Sequence, residues 1–181
     1  MVRMRDLRAA LTERILVLDG AMGTMLQARG LTADDFGGAQ YEGCNEQLNL
    51  SRPDVIRAVH QAYLDAGADI VSTNTFGCAP YVLAEYGLAE QAHAIALAGA
   101  RIAREAAGER FVVGAMGPAT RSISVTRNVT FDEVAGAYAL QARALLEGGV
   151  DALLLETSQD TLNLKAAALG VRRAIRETGL P

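Results

Sequence analysis

The chain has 181 residues, of which 50% are hydrophobic and 21% charged, with a formal net charge of −4. This composition excludes intrinsic disorder, and 17 basic against 21 acidic residues, with no basic block, argue against nucleic-acid binding. No apolar run approaches the roughly 20 residues that a membrane span needs, and the charged N-terminus does not resemble a signal peptide. We therefore expect one cytoplasmic globular domain with neither a nucleic-acid nor a membrane partner.

The predicted elements alternate between short apolar strands and amphipathic helices. Three strands follow the glycines Gly67, Gly108 and Gly149, which stand 41 residues apart and occupy positions where a helix must end. Including an earlier strand at 14–19, the chain contains four strand-helix units. The helices that separate these strands are predicted, in chain order, at 53–66, 88–107, 131–147 and 161–177.

Two helices carry more detailed predictions. Apolar spacing in the first gives it one buried face. Ser51 with Asp54, and Thr130 with Glu133, have the spacing of a capping box at a helix start. The residues expected on the buried face of the first helix are Val55, Val59, Ala62, Tyr63 and Ala66.

Helical crossovers of this length require parallel strands, which leaves a doubly wound sheet or a (β/α)8 barrel. At this period, eight units need roughly 300 residues, close to the size of a barrel. The sequence therefore predicts an α/β fold in which 1–181 covers about the first four units of a barrel, truncated before strand 5. The unpaired edges of such a half-barrel are expected to favour self-association.

Polar groups follow the apolar strands, and the carboxyl ends of parallel strands are where such folds bind ligands. Asp19 and Glu156 together could hold an ammonium group, while backbone N–H groups at 20–23 could hold a carboxylate. Each group also has a structural alternative. Asp19 could shape a turn, Asn74 could satisfy loop backbone, and Glu156 could form a salt bridge.

The remaining candidates indicate little chemistry. The glycine-rich segments complete no phosphate-loop pattern, which disfavours a complete small α/β protein that binds a nucleotide. Cys44 and Cys78 match no zinc-finger spacing and are interpreted as packing residues. His60 and His93 lie on predicted helices away from the strand ends, where we expect surface or boundary positions.

Four segments in order, over about residues 12–176, closely resemble the homocysteine-binding module of cobalamin-dependent methionine synthases, in the homocysteine S-methyltransferase family. They are RILVLDGAMGTMLQ, GCNEQLNLSRPDVIRAVHQAYLDAGADIVSTNTFG, GPATRSISVTRNVTFDEVAGAY and LLLETSQDTLNLKAA. The resemblance implies a (β/α)8 barrel in which a zinc-activated homocysteine thiolate takes a methyl group from methylcobalamin to give methionine. It implies that L-homocysteine is the substrate. It also implies two partner modules of the same enzyme: one binds methyltetrahydrofolate, which remethylates the cobalt, and the other binds cobalamin.

The resemblance also assigns residues. Asp19 and Glu156 match the family's acidic positions for the homocysteine amino group, Gly20 and Ala21 its backbone donors, and Asn74 an asparagine lining the pocket. The family's zinc-ligand cysteines, including a Gly-Gly-Cys-Cys segment, are absent. We therefore expect the chain alone to contain no catalytic residue, to bind neither zinc nor cobalamin, and to be inactive in methyl transfer. The alternative is a non-catalytic half-barrel that serves only for association or binding.

Overall fold

A computed structural model describes residues 6–179. Over this range the chain forms eight α-helices, three β-strands and four short 3₁₀ turns. None of the described helices combines the length and apolar character that a membrane crossing would need. The strands are β1 (Ile70–Ser72), β2 (Phe111–Met116) and β3 (Ala152–Leu155). The helices are α1 (Leu7–Glu13), α2 (Met22–Gln27), α3 (Leu48–Ser51), α4 (Pro53–Asp65), α5 (Pro80–Leu83), α6 (Ala92–Ala107), α7 (Phe131–Glu147) and α8 (Thr161–Thr178).

The three strands form one parallel sheet in the order β1-β2-β3. Val71 pairs with Val112 and Val113 with Ala152, so strands adjacent in the sheet are also consecutive along the chain. The predicted alternation of parallel strands and helical crossovers is confirmed. The small sheet agrees with the α/β class, whereas a closed barrel is not visible within residues 6–179.

The predicted first strand is reduced to a single bridge. Leu18 pairs with Ile70 as an isolated parallel bridge, and the N–H groups of Asp69 and Ile70 both donate to the Val17 carbonyl. Segment 14–19 therefore runs beside β1 without forming a regular ladder. Among the described residues it has no strand on its other side, and Ile15 is 89% exposed.

The periodic glycines behave as predicted. Gly67, Gly108 and Gly149 follow α4, α6 and α7 and have φ values of 102°, 55° and 88°. These left-handed conformations are costly for residues with a Cβ atom. Each glycine therefore ends a helix and turns the chain towards the next strand.

The core lies on both faces of the sheet. On the outer face, α4, α6, α7 and α8 cover the strands, and Val112 and Leu145 are fully buried there. On the inner face, Ile70, Phe111 and Val113 pack against apolar residues of α1 and segment 14–19. Burial of these apolar surfaces provides most of the stabilisation of such a fold.

Two predictions about α4 are wrong. Its buried face includes Ile56, His60 and Leu64 as well as Val55 and Val59, while Ala62 and Ala66 are exposed. His60 has no solvent exposure, contrary to the expected surface or boundary position. Helix α4 packs between α2 and α6, so residues on more than one side of it are buried. The buried surface of α4 is therefore wider than the single face that the apolar spacing predicts.

Of the two predicted capping boxes, the one at α7 is confirmed and the one at α4 is wrong. The Thr130 hydroxyl and the Glu133 carboxylate form the predicted capping box at the start of α7. At α4 the N-cap is Arg52 and has no side-chain cap, while the Ser51 hydroxyl donates to the carbonyl of Gln47, the N-cap residue of α3. Because α3 occupies residues up to Ser51, its serine cannot also cap the next helix.

Candidate functional site

The carboxyl-end edge of the sheet contains Asp19, which follows the segment paired with β1. One Asp19 carboxylate oxygen accepts the Ser72 backbone N–H at 2.9 Å, and the other accepts the Ser72 hydroxyl at 2.8 Å. Burial raises the pKa of Asp19, the hydrogen bonds from Ser72 oppose that rise, and the charge of Glu156 adds to it. Asp19 is thus a partly buried carboxylate, oriented by β1, with Glu156 close enough to affect its charge.

Glu156 follows β3 at the same edge. Its N–H donates to the Met116 carbonyl at 3.1 Å, which extends the β2–β3 ladder by one residue and fixes the start of the side chain. Burial raises the pKa of the Glu156 carboxyl. Within residues 6–179 neither Asp19 nor Glu156 forms a salt bridge. The structure therefore brings together two carboxylates that lack a cation, which is unfavourable unless a ligand supplies one.

Gly20 and Ala21 lie between Asp19 and α2. In the described part of the chain, neither donates its backbone N–H to a protein acceptor. The Tyr63 hydroxyl donates to the Ala21 carbonyl at 3.0 Å, and a Cβ at Gly20 would lie 3.0 Å from that hydroxyl oxygen. The contact with Tyr63 therefore holds the turn at Gly20 and Ala21 in place, and the backbone N–H groups of these two residues can still donate to a ligand.

Asn74 is buried, and its side chain bonds to protein groups. Its amide nitrogen donates to the Asn45 carbonyl at 2.8 Å and to the Asn49 side-chain oxygen at 3.0 Å, and Asn49 donates back to the Asn74 carbonyl. These bonds clamp the loop after β1 to the segment before α4. The arrangement matches the structural alternative for Asn74, namely satisfaction of loop backbone.

Ser72 and Asn49 are not among the residues that the sequence predicts for the site. Ser72 had a visible signal, since it is the first polar residue after the apolar run of β1 and stands at a strand end. Asn49 had none, because its side chain meets Asn74 across 25 positions of sequence. Both residues position the predicted groups by hydrogen bonding.

The two cysteines do not fit a zinc site. Cys44 and Cys78 are both buried, in an apolar cluster with Leu83, Leu88 and Ile95, which agrees with their interpretation as packing residues. Burial raises the pKa of Cys44 to about 11 and that of Cys78 well above its usual range, so both thiols are held protonated. Among the described residues, no group of three or more histidines, cysteines and acids could hold a metal ion.

Comparisons with known sequences match this chain to methyltransferases. The homocysteine S-methyltransferase family profile matches residues 16–180. The methionine synthases of Mycobacterium tuberculosis and Mycobacterium leprae are each 46% identical to it over 181 aligned positions, which cover 96% of this chain. The chain spans only 15% of the length of these two relatives.

Solved structures give the same result. The metallated form of the homocysteine methyltransferase MmuM from Escherichia coli superposes with a TM-score of 0.75 at 26% identity, covering 97% of this chain and 64% of that one. Its apo form gives a TM-score of 0.69 at 26% identity, covering 95% and 60%. With nearly the whole chain matched by the family profile and by relatives of known activity, the chain belongs to the homocysteine S-methyltransferase family.

Proposed function

We propose that this chain is the homocysteine-binding part of a cytoplasmic methionine synthase and supplies about the first four units of its (β/α)8 barrel. The observation that carries the proposal is the pair formed by Asp19 and Glu156, two partly buried carboxylates that have no cation partner among the described residues. The family match and the 46% identity to methionine synthases support the same substrate.

The amino-acid end of homocysteine fits the groups at this edge. Its ammonium group would lie between Asp19 and Glu156 and supply the missing positive charge. Its carboxylate would accept hydrogen bonds from the backbone N–H groups of Gly20 and Ala21. Asn74 would shape the adjacent wall through the loop that it clamps. Each interaction acts on the amine or the carboxylate, so these residues would bind and orient the substrate.

In the larger enzyme we propose that zinc activates the homocysteine thiol and that methylcobalamin, remethylated by methyltetrahydrofolate, donates the methyl group. Folate-binding and cobalamin-binding modules would then be the partners of this chain. The residues of this chain do not fit the metal, because its two thiols are held protonated in an apolar cluster. We therefore assign no catalytic residue and no cofactor contact within residues 6–179.

The proposal is tested by calorimetric titration of two ligands into the protein under reducing conditions. L-homocysteine carries the amino group, and 4-mercaptobutyrate is the same molecule without it. We expect homocysteine to bind more tightly, and Asp19→Asn and Glu156→Gln each to lose about 1–3 kcal/mol of homocysteine binding, the scale of a charged hydrogen bond. Both variants should lose the preference for homocysteine over 4-mercaptobutyrate.

Matched controls come from the opposite edge of the sheet. Asp65→Asn and Glu13→Gln change exposed carboxylates at the ends of α4 and α1, and both should bind homocysteine as the unchanged protein does. Unchanged affinity in Asp19→Asn and Glu156→Gln would contradict the proposal. Failure of the unchanged protein to bind homocysteine would favour the alternative of an association module.

A further inference from the structure

Phe76 is an exposed aromatic residue at the carboxyl-end edge of the sheet, in the loop after β1. Its surface is 42% exposed, although the flanking residues Thr75 and Gly77 are buried. The Phe76 carbonyl accepts the Gly117 N–H at 2.9 Å. The Gly77 N–H donates to the Glu46 carboxylate at 2.7 Å. These bonds fix the loop backbone on both sides of Phe76, while its ring remains exposed to solvent.

The ring of Phe76 lies flat against the backbone of Gly117. A Cβ atom at Gly117 would lie 2.6, 2.6 and 2.7 Å from the ring atoms Cδ1, Cε1 and Cγ. Nearly equal distances to three adjacent ring atoms place this Cβ over the ring face, because an approach from the ring edge would bring one atom much closer than the others. Gly117 therefore leaves the space in which one face of the ring packs, and the opposite face remains for a ligand.

The alternation of side chains along the strands places this ring on the inner face of the sheet. The outer clusters contain one residue near the end of each strand, namely Val71 of β1, Met116 of β2 and Leu155 of β3. Successive side chains point to opposite faces, so the next residues, Ser72, Gly117 and Glu156, point to the inner face. The ring of Phe76 thus occupies the place where a side chain at the end of β2 would otherwise lie.

The ring consequently lies between the two carboxylates of the candidate site. Asp19 accepts hydrogen bonds from Ser72, the last residue of β1, and Glu156 directly follows β3. Neighbouring strands are about 4.8 Å apart, so a ring at the end of β2 is about one strand spacing from β1 and from β3. A cation binds the face of an aromatic ring within about 6 Å of the ring centre. An ammonium group between Asp19 and Glu156 is therefore within reach of the open ring face.

We propose that the ring of Phe76 binds the ammonium group of the substrate through a cation–π contact. Gly117 is then a positioning residue, because its missing side chain allows the ring to lie over the end of β2. The ring face carries a partial negative charge, so it adds to the attraction of the two carboxylates without adding a third anion. This role deepens the proposed function and rests on it for the identity of the ligand.

The first experiment changes the charge of the ring face and keeps the shape of the ring. Phenylalanine analogues with one, two or three fluorine atoms, incorporated only at position 76, withdraw electrons from the ring face. In calorimetric titrations, homocysteine affinity should fall about twofold with each fluorine, whereas the affinity of 4-mercaptobutyrate, which has no ammonium group, should not fall. The same analogues at Phe131, a partly buried residue at the start of α7, are the matched control and should change neither affinity.

The second experiment tests the position of the ring. Phe76→Leu keeps an apolar side chain without a ring face, so it should weaken homocysteine binding about fivefold and leave 4-mercaptobutyrate binding unchanged. Gly117→Ala should displace the ring and cause a similar loss, and the double variant should lose little more than either single variant. Gly136→Ala is the matched control, because a Cβ there meets no atom within 4 Å. The fluorine series decides the question if Gly117→Ala does not fold.

A third ligand, 3-mercaptopropylamine, separates this inference from the proposed function, because it is homocysteine without the carboxylate. If homocysteine binding depends on Asp19 and Glu156 but fluorination at Phe76 has no effect, the inference is wrong and the proposed function stands. Equal losses for homocysteine and 4-mercaptobutyrate would also overturn it, since the ring would then be only an apolar contact. If homocysteine does not bind but 3-mercaptopropylamine responds to fluorination, the ring contact stands and the proposed substrate fails.

Discussion

The two edges of the sheet treat acidic side chains in opposite ways. At the amino-end edge, Asp69 precedes β1 and binds Arg14, at 2.5 and 2.8 Å, and the Val17 N–H. Asp151 precedes β3 and binds Arg104 at 2.9 Å and the Val112 N–H at 2.7 Å. Asp69 and Asp151 therefore each have both a cation and a backbone donor.

At the carboxyl-end edge, Asp19 and Glu156 have no cation among the described residues, and only Asp19 accepts hydrogen bonds. The pKa values of Asp69, Asp19 and Glu156 follow this difference. The Arg14 guanidinium holds the pKa of Asp69 well below its usual range, whereas burial raises the pKa of Asp19 and Glu156. Asp69 and Asp151 at the amino-end edge thus stabilise the fold, whereas Asp19 and Glu156 at the carboxyl-end edge are the groups that we propose bind a ligand.

The largest pH dependence of stability that we expect comes from His60, which lies at neither edge of the sheet. Its contribution must be measured separately before the stabilities of variants at the two edges are compared. His60 is fully buried, neither ring nitrogen has a hydrogen-bond partner in the described structure, and burial lowers its pKa to about 4. The unfolded chain binds a proton near pH 6.5 and the folded chain does not. Stability is therefore full above that pH and falls by up to about 3 kcal/mol as the pH drops towards 4.

Urea unfolding at a series of pH values measures this loss. His60→Leu should flatten the pH dependence between about pH 6.5 and 4. His93→Leu, at a partly exposed position beside Glu147, is the control and should retain the slope. An equal slope in the His60 variant and the unchanged protein would show that His60 finds a partner in solution.

A variant at the amino-end edge tests the next largest effect. Asp151→Ala leaves the buried Val112 N–H without its side-chain acceptor and removes one partner of Arg104, so it should lower the unfolding free energy by about 2 kcal/mol. Chemical denaturation checks this, with exposed Asp132→Ala as control. Homocysteine affinity should not change, and a loss as large as that in Asp19→Asn would break the proposed division between the edges.

The smallest expected effect has the opposite sign. Because the folded-state pKa values of Asp19 and Glu156 are raised, their contribution to stability is greatest below the unfolded values and is lost as the pH rises through the folded ones. At neutral pH, Asp19→Asn and Glu156→Gln should therefore be neutral or stabilising by at most about 0.5 kcal/mol, while they weaken homocysteine binding. Denaturation midpoints at pH 7 provide the measurement, and a clear loss of stability would show that these carboxylates are structural.

Much of the fold could be predicted because its signals are local. The glycines Gly67, Gly108 and Gly149 mark helix ends that only a residue without a side chain adopts easily, and all three have positive φ values. The box of Thr130 and Glu133 closes within a few residues and was therefore predicted correctly. The same type of pattern failed at Ser51, because α3 already included that serine.

The candidate site could be predicted only in part. Asp19 and Glu156 are visible as acids directly after apolar runs, and the structure places both at one edge. The hydrogen bonds of Ser72 to Asp19 and of Asn49 to Asn74 link positions 53 and 25 residues apart. No local pattern contains such a pairing, because it depends on how separate elements pack.

The amino-acid sequence by itself determined the order of strands and helices, the ends of the helices and the acidic residues at the strand ends. These properties depend on backbone conformation and on apolar spacing within short segments. Tertiary packing alone decided that His60 is buried with no hydrogen-bond partner among the described residues. It also decided that arginines pair with Asp69 and Asp151, whereas within residues 6–179 Asp19 and Glu156 pair with none. Burial and charge pairing are set by neighbours from distant parts of the chain, and these meet only in the folded protein.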